Sequence, residues 1–412
     1  MGDSVGLPRG FVWGGVRAGI KASGTLDLAV AAAPAGAVGT AVFTTNRMVA
    51  APVSAGRRHL MATGGRVGAV LVNAGNANCA TGEAGMEGCV ASCVAVAEAF
   101  GCIFDEVIPS STGIIGVPFP VEKVVAAIPA LKDSSGSTAE HAELFATAIL
   151  TTDTTMKTAG ASFEVRAEDG ARAEVRLWGA AKGAGMIHPR LGAPVGPPHA
   201  TMLVYLFTDV LATAEGLRAA LSAAVEPTFN SLSIDGDTST NDTVLLLASG
   251  ASGVPLTREI VPAFDQALNE VCASLAHQIV DDGEGVGHVV TLDVRGAATA
   301  AEARLVAKAI AHSPLCKTAW SSGDPNWGRL LAAAGSSGAV FEPVRVRIWI
   351  GEVPVFEYGV RAADFDEAAA HAAMVPREYT ITLDLGEGDA ACRFLTCDLT
   401  EEYVRINADY ST

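Results

Sequence analysis

Alanine-rich segments with a helical repeat alternate along most of this sequence with short β-branched runs, and that alternation most limits what the chain can fold into. Apolar residues recur at three- and four-residue spacing in Met86–Phe100, Val121–Leu131, Thr138–Leu150, Ala214–Val225, Arg258–Val280, Thr299–His312 and Asp364–Met374, which predicts amphipathic helices. Between them lie Ala69–Val72, Glu106–Ile108, Met202–Phe207, Thr243–Leu247, His288–Val294 and Val344–Ile350, which read as strands. Two further strand pairs flank turn residues and predict hairpins. Ser162–Ala167 and Ala173–Leu177 enclose Glu168-Asp169-Gly170, and Tyr379–Leu385 and Ala391–Leu399 enclose Gly386-Glu387-Gly388-Asp389. The mixture predicts an α/β protein of the α+β type, with helices packed on mixed, largely antiparallel sheets. At 412 residues the chain exceeds the size at which one core stops growing, so two lobes are expected.

Half of the residues are hydrophobic and the mean hydropathy is +0.33, which excludes a disordered chain. The formal charge of −17 argues against nucleic acid or an anionic membrane as partner, because both are held largely through Lys and Arg. A small-molecule substrate is the expected partner. Leu28 to Asn46 is uncharged but broken by Pro34, Gly36 and Gly39, too weakly apolar to span a bilayer. Met1 to Arg17 lacks the apolar core of a signal peptide, so the cytoplasm is the expected location. The eight cysteines (79, 89, 93, 102, 272, 316, 392 and 397) include no C-x2-C pair and read as small core residues in a reducing compartment.

Familiar cofactor signatures are missing. There is no phosphate-binding G-x4-G-K-[ST] loop, and Gly283-Glu284-Gly285-Val286-Gly287-His288 precedes a strand, the wrong context for a dinucleotide. The histidines are scattered without H-E-x-x-H, and Gly2-Asp3-Ser4-Val5-Gly6 has no strand before it to make a nucleophile elbow. An enzyme of this sequence is expected to work without a metal or bound cofactor.

Hydroxyl chemistry remains. Glu106 to Gly116 reads as a strand entering a Ser/Thr/Gly turn, where Gly113 would admit a substrate oxygen to backbone N–H groups and Thr112 would add a donor. The simpler reading is a β-turn. Thr151-Thr152-Asp153-Thr154-Thr155 is either a capped helix end or the lining of a polar pocket. Lys182, set among Gly179, Gly183 and Gly185, is either solvated or a point charge for a carboxylate. Asn230 to Thr243 is the densest polar stretch, read as a self-bonded loop feeding a core strand. Pro189 to Pro198 is expected to be an exposed loop, and it delivers the chain into His199-Ala200-Thr201-Met202. Thr201 is either a strand start or a nucleophile. Attack on the Ala200 carbonyl would cut the chain and leave an N-terminal threonine whose own α-amine, of pKa about 7.7–8.0, serves as base.

Seven ordered stretches then resemble the ornithine acetyltransferase (glutamate N-acetyltransferase) family. They are Ser111-Thr112-Gly113-Ile114-Ile115-Gly116, Thr151-Thr152-Asp153-Thr154, Lys182-Gly183-Ala184-Gly185-Met186-Ile187, Ala200-Thr201-Met202-Leu203, Asp235 to Thr243, Asp324-Pro325-Asn326-Trp327-Gly328-Arg329 and Tyr403 to Tyr410. The resemblance implies an ornithine acetyltransferase/aminopeptidase-like fold with both lobes sharing one active site. It implies self-cleavage between Ala200 and Thr201, an α chain of residues 1–200, a β chain of residues 201–412, and an α2β2 assembly of these chains. Thr201 would carry acetyl from N-acetyl-L-ornithine to L-glutamate, with Thr112 and Gly113 as the oxyanion hole and Thr151, Lys182, Thr201, Glu284, Asn407 and Thr412 binding substrate. Acetyl-CoA stays open as a co-substrate. Residues 191–198 lengthen the linker ahead of Thr201 relative to the family, and His199 stands where methionine is usual. Two other readings stay open here: an N-terminal-nucleophile amidohydrolase or aminopeptidase on the same scaffold, and an uncleaved protein that binds N-acetylated amino acids.

Overall fold

The computed structural model describes residues 6–166, 172–191 and 202–409. Eight strands form the first sheet: β1 (Val12–Val16), β2 (Leu28–Phe43), β3 (Arg66–Asn76), β4 (Val107–Ile114), β5 (Lys157–Arg166), β6 (Arg172–Lys182), β7 (Leu203–Thr208) and β8 (Thr243–Ala248). Their order is β4-β3-β2-β8-β7-β6-β5, with β1 also paired to β2. Only β3–β4 and β7–β8 are parallel. Six strands form the second sheet: β9 (Val289–Ala297), β10 (Arg347–Ile350), β11 (Val353–Glu357), β12 (Val360–Arg361), β13 (Glu378–Asp384) and β14 (Ala390–Cys397), in the order β12-β11-β10-β13-β9-β14. The expected α+β architecture of helices on mixed, largely antiparallel sheets is what the chain adopts.

Side-chain alternation along β2 shows why the first sheet is covered twice. Leu28, Val30 and Ala32 pack against the helices Gly82–Phe100 and Val121–Asp133, whereas Ala29, Ala31 and Ala33 pack against Ala51–Ala62 and Ala139–Ala148. At the other end of the sheet, Val204, Leu206, Val244 and Leu246 meet the helices Ala214–Val225 and Val261–Asp281. Buried on both faces, β7 and β8 read as continuous apolar runs. The second sheet buries one face, through Val290, Leu292, Ile348, Ile381 and Phe394, against Ala300–Ala311 and its neighbours.

Several local expectations are corrected. The broken stretch Leu28 to Asn46 contains the sixteen-residue strand β2. Its register slips between Ala32 and Ala37, so Pro34 and Gly36 are accommodated where no ladder bond is needed. The first hairpin pairs through Arg166 and Arg172, with its turn outside the described residues. The second does not form, because β9 lies between β13 and β14. The intervening turn instead caps β9, with the N–H groups of Glu387 and Gly388 both donating to the Gly296 carbonyl at 2.7 and 3.0 Å. Within the expected exposed loop, Pro189 and Leu191 are buried, and residues 192–198 lie outside the described residues.

Candidate active site

The carboxyl end of β4 carries Thr112 and Gly113. They continue the strand rather than forming the expected turn, and the β3–β4 register breaks opposite them at Gly75 and Asn76. Gly113 sits at φ +130°, and a Cβ there would run into the Gly75 and Asn76 backbone, so only glycine fits. A side-chain scaffold fixes this edge. Ser111 Oγ donates to Asn73 Oδ1 at 2.5 Å, and the Asn241 amide donates to the carbonyls of Ser111 and Ala77 at 2.7 and 2.6 Å. The polar loop before β8 is therefore bonded across the sheet and not only to itself.

Lys182 ends β6 and is buried with Asp153 and Lys157. Asp153 lies 2.7 Å from Lys157 Nζ and 3.8 Å from Lys182 Nζ, and it accepts the Gly183 N–H at 2.6 Å. Burial alone would raise the Asp153 pKa, but the ammonium groups of Lys182 and Lys157 override it and hold the carboxyl well below its usual range. Lys157 also pairs with Asp282, tying this cluster to the end of the helix Val261–Asp281. Lys182 titrates lower than an ordinary lysine because burial outweighs its carboxylate neighbours.

Asp235 turns the Lys182–Ile187 segment toward the same space, accepting from the N–H groups of Met186 and Ile187 at 2.7 and 2.9 Å. Glu284 arrives from the connection into β9, its N–H donating to the Ala184 carbonyl at 2.9 Å. The terminal helix Glu401–Asp409 completes the wall, with Asn407 Nδ2 donating to Glu284 Oε2 at 3.0 Å.

These elements enclose a cleft of about 270 Å³ lined by Thr112, Gly113, Thr151, Lys182, Glu284 and Asn407, together with Asp235, Asp237, Ser239, Thr240 and Tyr403. Six of the site residues expected from the sequence thus meet in one place, supplied by the first sheet, the Thr151 stretch, the connection into β9 and the terminal helix. Ala200, Thr201 and Thr412 lie outside the described residues. Their neighbour Met202 is fully buried, its carbonyl accepting from the Thr243 N–H at 2.9 Å, and Leu203 pairs with Lys182.

Three residues without an assigned role in the sequence belong to this region. Asp153 and Tyr403 stand inside the longer stretches Thr151-Thr152-Asp153-Thr154 and Tyr403 to Tyr410. Burial and the carboxylates of Asp235, Asp237 and Glu284 push the Tyr403 phenol pKa up, so it remains a neutral donor. Asp242 is completely buried, and neither carboxylate oxygen has a hydrogen-bond partner among the described residues. Burial raises its pKa well above normal against the opposing pull of Lys182. The only sequence signal for Asp242 was an acid placed directly before a wholly apolar strand.

Among the described residues no group of His, Cys, Asp or Glu gathers as metal ligands, and no helix is long and apolar enough to cross a membrane.

The sequence matches the ArgJ family over residues 12–412. It is 47% identical over 410 residues to the arginine biosynthesis bifunctional protein ArgJ of Thermus thermophilus, covering 99% of this chain and 100% of that protein. The protein of the same name from Methylococcus capsulatus is 43% identical, with coverage of 98% and 95%. Among solved structures, the arginine biosynthesis bifunctional protein of Bacillus halodurans is 39% identical with a TM-score of 0.49, covering 51% of this chain and 100% of its own. The ornithine acetyltransferase of Mycobacterium tuberculosis, solved with ornithine, is 37% identical with a TM-score of 0.39, covering 45% of this chain and 94% of its own. With residues 12–412 matched and relatives this similar end to end, the chain belongs to the ArgJ family of arginine-biosynthesis enzymes.

Proposed function

We propose that this enzyme is a glutamate N-acetyltransferase that moves acetyl from N-acetyl-L-ornithine to L-glutamate through an ester on Thr201, after cutting itself between Ala200 and Thr201 into chains of 200 and 212 residues. The observation that carries this reading is the convergence of Thr112, Gly113, Thr151, Lys182, Glu284 and Asn407 on one cleft beside the start of β7. Leu203, two residues after Thr201 in the sequence, pairs with Lys182.

In self-cleavage the Thr201 hydroxyl adds to the Ala200 carbonyl, the C–N bond breaks as the acyl group moves to oxygen, and water hydrolyses the ester to a carboxylate and a free threonine amine. In catalysis that amine takes the proton as the hydroxyl attacks the acetyl carbonyl. The Gly113 N–H and the Thr112 hydroxyl stabilise the resulting oxyanion. Collapse returns the proton to the departing amine of ornithine and leaves acetyl-threonine. The glutamate amine then attacks the ester, and the hydroxyl is restored.

Both substrates carry an α-carboxylate, for which Lys182 supplies a buried cation. Their other ends differ in charge, and the joined Glu284 and Asn407 offer an acceptor for the ornithine ammonium and an amide donor for the glutamate carboxylate. Thr151 and the terminal Thr412 complete the substrate-binding set in this scheme. No metal or bound cofactor takes part, and acetyl-CoA would enter only as an alternative acyl donor. The two chains stay together as an α2β2 assembly in the cytoplasm.

The test is Thr201→Ala. The variant should run as one 412-residue band on a denaturing gel and form no N-acetylglutamate from N-acetylornithine and glutamate. A cleaved or active variant rules out Thr201 as the nucleophile. Supplying acetyl-CoA in place of N-acetylornithine to the native enzyme decides whether it also makes the first acetyl transfer.

A further inference from the structure

A second cavity, of about 240 Å³, opens beside the segment Pro189–Leu191 and shares no lining residue with the active-site cleft. Arg190, Arg304 and Lys308 line it, and Glu226 is its single acid. In a chain of net charge −17, three cations around one carboxylate run against the overall field.

The walls are built rather than incidental. Asn230 clasps Leu191 from both sides, its Oδ1 accepting the Leu191 N–H at 2.7 Å and its Nδ2 donating to the Leu191 carbonyl at 3.2 Å. This fixes the backbone that projects Arg190. Arg304 is fully engaged, donating to the Asn230 carbonyl, to Ser231 Oγ and to Glu226 at 3.0, 3.1 and 2.8 Å. Arg190 and Lys308 differ, because among the described residues neither side chain forms a salt bridge or hydrogen bond: the Glu226 carboxylate attracts Lys308 but bonds Arg304. Residues 192–201, which follow directly, contain no acidic side chain.

We propose that Arg190 and Lys308, backed by Arg304, form a binding site for a phosphate group. Two unpaired cations beside a rigid guanidinium match a dianion in charge, and the cavity is large enough for a phosphate or a pyrophosphate, since a water-sized group takes about 30 Å³. Burial, Arg190 and Arg304 lower the Lys308 pKa to about 8, a cost that a bound anion relieves. The site is wired to the active-site cleft through a short stretch of chain. Asp235 holds Met186 and Ile187 on the cleft side, and Asn230 holds Leu191 on the phosphate side. A ligand on Arg190 therefore bears on the segment that Asp235 anchors at the cleft through Met186 and Ile187.

The phosphate has two sources in principle, a free phosphate compound or the phosphates of acetyl-CoA, and the latter rests on the function proposed above. Calorimetric titration of the purified enzyme with inorganic pyrophosphate tests the site independently of that function. Saturable binding is expected, weakened about tenfold in Arg190→Gln and again in Lys308→Gln, abolished in the double variant, and unchanged in Thr112→Ala, which alters only the cleft. A repeat in the presence of acetyl-CoA separates the sources. Displacement of pyrophosphate assigns the site to the acyl donor, and undisturbed binding assigns it to a free phosphate compound. Absence of saturable binding, or equal affinity in the double variant, overturns the proposal.

Discussion

Thr112 is only 1% exposed, yet its side of β4 lines the cleft, so its hydroxyl is held by the strand rather than free to rotate with a loop. Donors preorganised in this way act on the transition state, and Thr112→Ala should lower kcat by roughly 10²-fold with little change in KM. Steady-state kinetics with N-acetylornithine and glutamate check this, and an unchanged kcat removes Thr112 from the oxyanion hole. Asp242 poses a different test. Its pKa is raised in the folded chain, so folding and ionisation compete. Both states bind its proton below the unfolded pKa of about 3.9, where no penalty exists, and the penalty grows as pH rises toward the folded value. Asp242→Asn removes the charge, and should therefore stabilise the protein at pH 8 while leaving its stability at pH 3 unchanged. Thermal melts at the two pH values read the difference. A destabilised variant at pH 8 would mean that the carboxylate is ionised and paired. The sequence could name Thr112 and Gly113 because their chemistry is local. It could not give Asp242 or Asp153 a role, because those roles arise from burial and from lysines brought in by other strands.

At the scale of elements, the terminal helix Glu401–Asp409 buries no residue of its own, so its position depends on few contacts. Thr400 Oγ1 donates to the Gly285 carbonyl at 2.6 Å, and Asn407 reaches Glu284. Gly285 has φ +69°, and a Cβ there would press on the Tyr403 backbone. Gly285→Ala should displace this helix, raise KM for both substrates several-fold, and leave the melting temperature within a few degrees of the native value, since no core is disturbed. A large fall in melting temperature with unaltered KM would show that the glycine serves folding alone. Helices such as Ala214–Val225 were legible from apolar periodicity alone, and the structure adds the cap, Thr213 Oγ1 accepting the Gly216 N–H at 3.1 Å. The hairpin at Gly386 to Asp389 was misread for a physical reason. A turn sequence states that the chain reverses, but not whether a distant strand, here β9, has taken the place between its arms. The strand β2 was hidden because alanine, glycine and one proline make a weak β signal that only two covering helix layers can redeem.

For the whole molecule, the proposed break falls just before β7, which lies inside the first sheet between β6 and β8. One proposed chain supplies β1 to β6 and the other supplies β7 and β8, so the sheet joins them through β6–β7 on one side of the pair and β2–β8 on the other. The two fragments should therefore elute together in native size exclusion and separate only in denaturant. The fold class follows from patterns spread along the full chain, whereas this arrangement rests on the order of strands within the sheet, which was beyond any local signal. The acyl-threonine is the intermediate on which the proposed transfer depends. Enzyme incubated with N-acetylornithine in the absence of glutamate, quenched in acid and analysed by intact-mass and peptide mass spectrometry, should show a 212-residue chain beginning at Thr201 and heavier by about 42 Da, with the added acetyl on that first residue. An intact 412-residue chain, or a cleaved chain that never gains the acetyl group, would contradict it.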